Sequence, residues 1–118
     1  MINAKETAII WKEVCKAYNE TRWDQTPADT IGFLLKSYNL QQLLETFAAV
    51  SKLKKDDGRI WDTYRKEIEK IPTDPLCEVL GYENPLYETG DLDHIHTSHI
   101  NQLIGEVLKE QRKRAEKE

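Results

Sequence analysis

The fold is decided by residues 40–53, Leu-Gln-Gln-Leu-Leu-Glu-Thr-Phe-Ala-Ala-Val-Ser-Lys-Leu. Apolar side chains recur there every three or four residues, which places them on one face of an α-helix. They are Leu40, Leu43, Leu44, Phe47, Val50 and, less regularly, Leu53. Ala48 and Ala49 are small enough to let a second helix pack closely. The segment therefore predicts an amphipathic helix within an all-α fold.

Two predicted helices precede this segment. Asn3, followed three residues later by Glu6, is a capping-box pattern that predicts a helix ending near Asn19 to Thr21. The apolar face of this helix would consist of Ala8, Ile9, Trp11, Val14, Cys15 and Tyr18. Thr26, which precedes a proline, predicts the N-cap of a second helix. Asn39 is expected to end that helix, because asparagine tolerates the left-handed conformation.

Two helical segments are predicted between residues 54 and 81. Asp57-Gly58 is a turn signal, and the apolar residues beyond it have helical spacing. They are Ile60, Trp61, Tyr64, Ile68 and Ile71. Asp74 before a proline can begin a short helix that runs to Leu80 and is closed by Gly81.

The C-terminal third is predicted to contain a loop and a long helix. Residues 82–93 carry turn signals without periodicity, so we expect an ordered loop of a length that is often functional. The last helix would start at Thr97 or Ser98, with a full helical stripe of apolar residues. That stripe is Ile100, Leu103, Ile104, Val107 and Leu108. Residues 110–118 are polar except for Ala115, which predicts a solvated, fraying helix end.

These elements predict a single compact all-α domain of five or six helices that covers residues 1–118. The length suits one domain with one ordinary core. Five glycines and four prolines are few enough to favour helices over a sheet. The predicted core consists of Ile9, Cys15, Leu34, Leu35, Leu43, Leu44, Phe47, Trp61, Tyr64, Ile68, Leu103, Ile104 and Val107.

The composition argues against several kinds of protein. No apolar run approaches the length of a membrane span, and Lys5 and Glu6 precede the first apolar run, unlike in a secretory signal. A net charge of −4 argues against direct, general binding of nucleic acid. We therefore expect a cytoplasmic protein in which Cys15 and Cys77 are reduced core thiols. A disulfide between them is the alternative.

The charges are distributed unevenly, and residues 71–108, here called the acidic segment, contain no lysine or arginine. Seven carboxylates lie in this segment: Asp74, Glu78, Glu83, Glu88, Asp91, Asp93 and Glu106. A surface of this kind would repel nucleic acid and attract a basic partner or a cation.

All three histidines lie in the acidic segment, in the order His94-Ile-His96-Thr-Ser-His99. If a turn brought them together, they could bind one zinc or nickel ion, with Asp91 or Asp93 as a fourth ligand. The alternative is a helix entry, with His94 and His96 on a polar loop and His99 in the first helical turn. Three histidines could also make a contact patch pH-sensitive.

A basic region surrounds the predicted turn at residues 57–58. It consists of Lys52, Lys54, Lys55, Arg59, Arg65 and Lys66, with Trp61 and Tyr64 interleaved. Aromatic rings among cations could stack on single-stranded nucleic acid. However, Asp56, Asp57 and Asp62 dilute the charge, and both rings fall on the predicted apolar face. Core packing is therefore the favoured interpretation.

Parts of the chain resemble a known family. The residues that carry the resemblance are Tyr38, Leu43, Leu44, Phe47 to Val50, Asp57-Gly58-Arg59-Ile60, Lys66 and Ser98-His99. They resemble a domain family of unknown function carried on mobile genetic elements of Gram-positive bacteria, over a little under half of the chain. Asn39 and Ile100 stand where that family has glycine and proline. The resemblance implies a helical domain of conjugative or phage biology with no known chemistry, and a structural turn at residues 57–59.

The resemblance and the acidic segment together lead us to expect a non-enzymatic protein that binds another macromolecule. Its concrete form would be an inhibitor of a host defence nuclease, in an anti-CRISPR or anti-restriction role. The partner would be a basic, nucleic-acid-binding protein. The expected contact residues are Glu83, Glu88, Asp91 and Asp93. The alternative function is a zinc- or nickel-binding protein that uses the three histidines.

Self-association is a further expectation. Ile10, Trp11 and Trp23 have no evident internal partners in the sequence pattern. Aromatic residues are enriched at interfaces, and a two-fold dimer is the commonest closed assembly. We therefore expect either a homodimer through the N-terminal helix or a bundle whose end is covered by Trp11 and Trp23.

Overall fold

Six α-helices and one 3-10 turn make up the described part of the chain. The computed structural model describes residues 1–21, 26–54, 58–79, 81, 83–88, 95 and 97–117, with the backbone alone at residues 21, 58–63, 88, 97 and 117. The elements are α1 (Ala4–Thr21), α2 (Pro27–Leu34), α3 (Leu40–Leu53), α4 (Gly58–Lys70), the 3-10 turn (Pro75–Cys77), α5 (Pro85–Glu88) and α6 (Thr97–Lys117). No strand occurs in these residues, which confirms the predicted all-α fold.

α3 lies at the centre of the bundle. It packs against α1, α4, α6 and the 3-10 turn. Every residue from Leu43 to Ser51 is buried, including Glu45, whose carboxylate lies 3.6 Å from the amino nitrogen of Met1. The amphipathic pattern predicted one buried face, but three helices cover α3 and bury its other faces as well.

Most of the predicted core is confirmed. The buried members are Cys15, Leu34, Leu43, Leu44, Phe47, Ile68, Leu103, Ile104 and Val107. Leu35 and Tyr64 are partly buried and pack against this core. The side chain of Trp61 lies outside the described residues.

The buried face of α1 differs from the prediction. Ile9, predicted to be in the core, is 54% exposed, whereas Ile10 and Trp11 are 3% and 0% exposed. Trp11 packs edge-to-face on Phe47, with ring centroids 6.2 Å apart. α1 contacts α2, α3, α5 and the 3-10 turn, so its buried arc is wider than one stripe and includes Ile10. The expectation that Ile10 and Trp11 lack internal partners is wrong, and Trp23 lies outside the described residues.

Asn39 begins α3 instead of ending α2, which corrects the prediction. Its backbone is extended, with φ −84° and ψ 168°, so it is not in the left-handed region. Its Oδ1 accepts the Gln42 backbone N–H at 2.8 Å, and Gln42 Oε1 accepts the Asn39 N–H at 2.9 Å. α2 ends earlier, at Leu34. The reciprocal pair satisfies two N–H groups that a helix start leaves without partners.

The other predicted helix starts are confirmed. The backbone N–H of Glu6 donates to Asn3 Oδ1 at 2.8 Å. Asp29 and Thr26 form a capping box, in which Thr26 N–H donates to Asp29 Oδ2 at 3.0 Å. α1 ends at Thr21, within the predicted range.

α4 passes close to α6 at a glycine. The turn predicted at residues 57–59 is wrong for Gly58 and Arg59, because both belong to α4. Asp57 lies outside the described residues.

Tyr64 interrupts α4, with φ −121° and ψ 21°. A Cβ atom at Gly105 would lie 2.6 Å from the hydroxyl oxygen of Tyr64. Because that distance is shorter than atomic contact allows, this approach requires glycine at position 105.

α6 begins at Thr97 and continues to Lys117. Its predicted apolar stripe, Ile100, Leu103, Ile104, Val107 and Leu108, is buried. Residues 111–116 are exposed, as expected for a solvated helix end. Fraying of this end stays a prediction.

Both cysteines are free thiols in the interior of the protein. Cys15 and Cys77 are buried and not bonded to each other, which confirms the reduced-thiol prediction over the disulfide. Separately, none of the described helices combines the length and the apolar character that crossing a bilayer requires.

Candidate docking surface: the acidic segment

The acidic segment begins with a carboxylate that serves the fold. Asp74 Oδ2 accepts the backbone N–H of Ala4 at 3.1 Å, and its Oδ1 accepts the N–H of Leu76 at 3.0 Å. Ala4 is the first residue of α1, whose early N–H groups have no partners within the helix. One side chain thus caps the 3-10 turn and joins it to α1. The sequence predicted that Asp74 begins a short helix, but it did not predict the bond to α1.

A buried asparagine organises the next part of the segment. Asn84 is 0% exposed, and its Nδ2 donates to the carbonyl oxygens of Cys77 and Val79 at 2.8 and 2.7 Å. Its Oδ1 accepts the N–H of Leu86 at 2.9 Å. All polar atoms of this side chain therefore bond backbone groups, as a buried amide requires. Gly81 lies between the 3-10 turn and α5, and its φ of 96° is a turn conformation that favours glycine.

Residues 82–93, predicted as a loop, contain the short helix α5 (Pro85–Glu88). Asn84 before Pro85 has the sequence of a helix start, but four residues are too few to show a helical period. α5 packs on α1 and on the 3-10 turn, and Leu86 is fully buried. The described part of this region is therefore fixed to the bundle.

The carboxylates of the segment occupy different environments. Glu78 and Glu83 are exposed, whereas Glu106 on α6 is half-buried. Of the four predicted contact residues, Glu83 lies on this exposed surface, and Glu88 is the last residue of α5 with only its backbone described. The other two predicted contact residues, Asp91 and Asp93, lie outside the described residues.

One lysine from another helix reaches the start of the segment. Lys52 Nζ donates to the carbonyl oxygen of Ile71 at 2.8 Å and to Thr73 Oγ1 at 3.3 Å. Ile71 follows the last residue of α4, so the ammonium lies at the C-terminal end of that helix, where the helix dipole favours a cation. The acidic segment is free of cations in sequence, but in space Lys52 covers its first residues.

Cys77 is buried in the acidic segment, and its environment disfavours the thiolate form. Burial raises the pKa of the thiol, and the carboxylates of Asp74 and Glu78 act in the same direction. A hydrogen bond with the side chain of Thr7 opposes this rise. A thiol with a raised pKa holds little thiolate at neutral pH and is a poor nucleophile.

The histidines are only partly described. His94 and His96 lie outside the described residues, while Ile95 between them is buried. His99 is exposed in the first turn of α6, as the helix-entry interpretation predicts. Its Nδ1 lies 2.6 Å from the hydroxyl oxygen of Tyr18, a residue of α1 that the sequence did not link to it. A metal ion at His99 would therefore have to bind Nε2.

A small cleft lies beside the Tyr18–His99 pair. Its volume is about 140 Å³, and its lining residues are Tyr18, Thr26, Pro27, Thr30, His99, Gln102 and Leu103. These residues offer hydroxyl, amide and imidazole groups but no carboxylate. Within the ranges that the structure describes, no three His, Cys, Asp or Glu side chains are grouped to hold a metal ion. The three-histidine site stays a prediction, because two of its ligands lie outside those ranges.

The basic region contributes to the fold through some of its members. Lys52 bonds the end of α4, and Arg65 pairs with Glu69 at 3.2 Å along the same helix. Tyr64 is half-buried against the core, in agreement with the core-packing interpretation. The side chain of Trp61, the other ring of the stacking alternative, is not among those described.

Comparison of the chain with protein-family models, with curated proteins and with solved structures finds no match.

Proposed function

We propose that this protein is a non-enzymatic binding protein that uses its acidic segment to hold a basic macromolecule. The observation that carries the proposal is a stretch of 38 residues, numbers 71–108, without lysine or arginine, whose turns are fixed to a helical bundle. Asp74 and Asn84 fix these turns through bonds to the backbone. A rigid surface loses little conformational freedom when it binds, which favours affinity.

The charges support a protein as the partner. Exposed Glu78 and Glu83 would repel phosphate groups and attract lysine and arginine. A basic protein that normally binds nucleic acid offers the complementary surface. Inhibition of a host defence nuclease, in an anti-CRISPR or anti-restriction role, is the concrete form of the proposal. That form rests on the resemblance to mobile-element domains and on the charge.

Charge reversal tests this proposal. The test variant carries Glu83, Glu88, Asp91 and Asp93 all changed to lysine. The control variant carries the same number of reversals outside the segment, at Glu13, Glu20, Glu116 and Glu118. Each protein is used as bait in extracts of the native host, and captured proteins are identified and then purified.

The expected result is a basic protein captured by the wild type and by the control variant but not by the test variant. Its affinity for the wild type should fall steeply as salt rises, and this dependence should flatten in the test variant. Equal affinity of the test variant and the wild type for the purified partner would refute binding through the acidic segment.

The alternative proposal, a zinc or nickel protein, is supported by one contact. A ligating histidine usually has its second ring nitrogen bonded to an oriented partner, and Tyr18 occupies that position at His99 Nδ1. Protein purified without an affinity tag should then contain stoichiometric metal, and chelation should lower the melting temperature. His99→Ala should abolish both effects. Protein free of metal that shows no thermal shift on addition of zinc or nickel would end this alternative.

A further inference from the structure

Two large apolar side chains stand exposed in the described part of the acidic segment. Leu76 on the 3-10 turn is 49% exposed, and Tyr87 on α5 is 39% exposed. Single exposed apolar residues are ordinary on protein surfaces, so exposure alone assigns them no role. Their placement is more informative, because both lie in the stretch that lacks cations and on two turns that contact each other.

Hydrogen bonds from one side chain join the two turns. Asn84 donates to the carbonyl oxygens of Cys77 and Val79, next to Leu76, and its own carbonyl oxygen accepts the N–H of Tyr87 at 3.0 Å. Buried Cys77 and Leu86 are the chain neighbours of the two exposed residues and anchor them to the core. Leu76 and Tyr87 are thus presented on a fixed backbone.

Exposed carboxylates lie close in sequence to both apolar residues. Glu78 is two positions after Leu76, and Glu83 is four positions before Tyr87. Apolar or aromatic anchors with a charged, solvated rim are the usual anatomy of a protein interface. The exposed charges nearest to them in sequence, Glu78 and Glu83, are both negative and would attract a cationic partner.

We propose that Leu76 and Tyr87 are the apolar anchors of the acidic surface, and that the partner presents an arginine-rich segment to them. Arginine fits both parts of the surface, because its guanidinium pairs with carboxylates and also stacks on an aromatic ring. Lysine has the same charge but is a compact, strongly hydrated ammonium that stacks less well. This inference rests on the proposed function and adds to it the kind of cation that the surface prefers.

The probes are an oligo-arginine and an oligo-lysine peptide of equal length, each with a fluorescent label. Binding to the full chain is measured by anisotropy at low and at physiological ionic strength. Tyr87→Ala and Leu76→Ala remove the anchors without removing a backbone bond. Phe33→Ala and Ile9→Ala are matched controls, because these residues are 45% and 54% exposed outside the acidic segment. Circular dichroism of each variant checks that the fold is retained.

The wild type should bind the arginine peptide roughly threefold or more tightly than the lysine peptide. Tyr87→Ala and Leu76→Ala should each weaken the arginine complex and reduce the preference, while the two controls should not. Equal affinity for both peptides, or a preference that survives the loss of Tyr87, would overturn the role of the anchors.

A third variant separates this inference from the proposed function. Reversal of Glu83 and Glu88 to lysine should weaken binding of both peptides. If it does so while the anchor variants bind like the wild type, binding through the acidic surface is supported, and the role of Leu76 and Tyr87 in the arginine preference is refuted. If neither peptide binds the wild type at low ionic strength, both the proposed function and the role of the two anchors are refuted.

Discussion

α3 and the region from Ile71 to Tyr87 are held in place by different interactions. α3 is fixed by apolar packing against three helices, which includes the edge-to-face contact of Phe47 with Trp11. The other region has little periodic apolar sequence, and besides the buried side chains of Cys77 and Leu86 it is fixed by Asp74 and Asn84, whose side chains bond backbone groups.

The two regions should therefore respond differently to the loss of a single side chain. Apolar packing is spread over many contacts, so the loss of one side chain costs stability without freeing a polar group. A side chain that bonds several backbone groups concentrates its contribution, because its loss leaves those groups buried without partners.

Phe47→Ala should lower the free energy of unfolding by about 3–5 kcal/mol, because it leaves a cavity at the centre of the bundle. Phe47 is 2% exposed and packs on Trp11. Urea denaturation followed by far-UV circular dichroism measures the change. Phe33→Ala, at a 45% exposed site where Lys36 Nζ lies 5.7 Å from the ring centroid, is the control and should cost at most about 1 kcal/mol. A small effect at Phe47 would mean that α3 is not the centre of the core.

Asn84→Ala should destabilise the protein by about 2–3 kcal/mol, although it removes only a few atoms. The change leaves the carbonyl oxygens of Cys77 and Val79 and the N–H of Leu86 without their partner. The same denaturation experiment applies. Glu83→Ala, at the exposed neighbouring position, should leave stability nearly unchanged. If both variants were equally stable, Asn84 would not be what holds the two turns together.

Asp74→Ala should cost about 1 kcal/mol, the usual loss when a helix cap is removed. Asp74→Asn is the informative comparison, because an amide retains one oxygen acceptor in place of two. We expect Asn to restore part of the stability. Amide hydrogen exchange at Ala4 and Leu76 would show which of the two bonds survives. Identical exchange in the wild type and the alanine variant would contradict the capping role.

The smallest change in the free energy of unfolding is expected when pH rises and the thiol of Cys77 loses its proton. Folding raises the pKa of this thiol, chiefly by burial, so the folded state holds the proton more tightly than the unfolded state does. The stability that results is fully present below the pKa of the unfolded thiol and is lost as pH rises through the folded pKa. In a Cys15→Ser background, Cys77 should react slowly with a thiol reagent at mildly alkaline pH and rapidly in urea. Fast reaction in the native protein would show that the site opens readily.

Apolar periodicity predicted the long helices of the bundle, but it missed the short α5 and did not identify every buried residue. The bounds of α3 and the stripe of α6 follow from spacing alone. The run Ile9-Ile10-Trp11 was ambiguous, because three consecutive apolar residues span most of a helical turn and only the neighbouring helices decide which of them is buried. α1 has neighbours on the Ile10 side, and Ile9 faces outwards.

The polar residues were harder to interpret because one residue type serves several structures. Asparagine ends helices, begins them and organises turns. Asn39 begins a helix because its backbone N–H bonds the side chain of Gln42. Asn84 organises a turn because its side chain is buried against the backbone groups that it bonds. The Tyr18–His99 bond joins residues 81 positions apart, and no local pattern indicates such a pair. Of the predicted contact residues, the structure describes the side chain of Glu83 alone, at an exposed position that its charge and loop context favoured.

The close approach of Gly105 to Tyr64 has a consequence for the evolution of the chain. A methyl group at position 105 and a hydroxyl group at position 64 would occupy the same space. The two positions should therefore covary among related sequences, with glycine at 105 accompanying tyrosine at 64. Phenylalanine at 64 would admit alanine at 105, since the ring carbon that bears the hydroxyl lies at an ordinary 3.5 Å from that methyl position. A sequence that lost the hydroxyl first could then gain the higher helix propensity of alanine, whereas one that gained the methyl first would have to cross an overpacked intermediate.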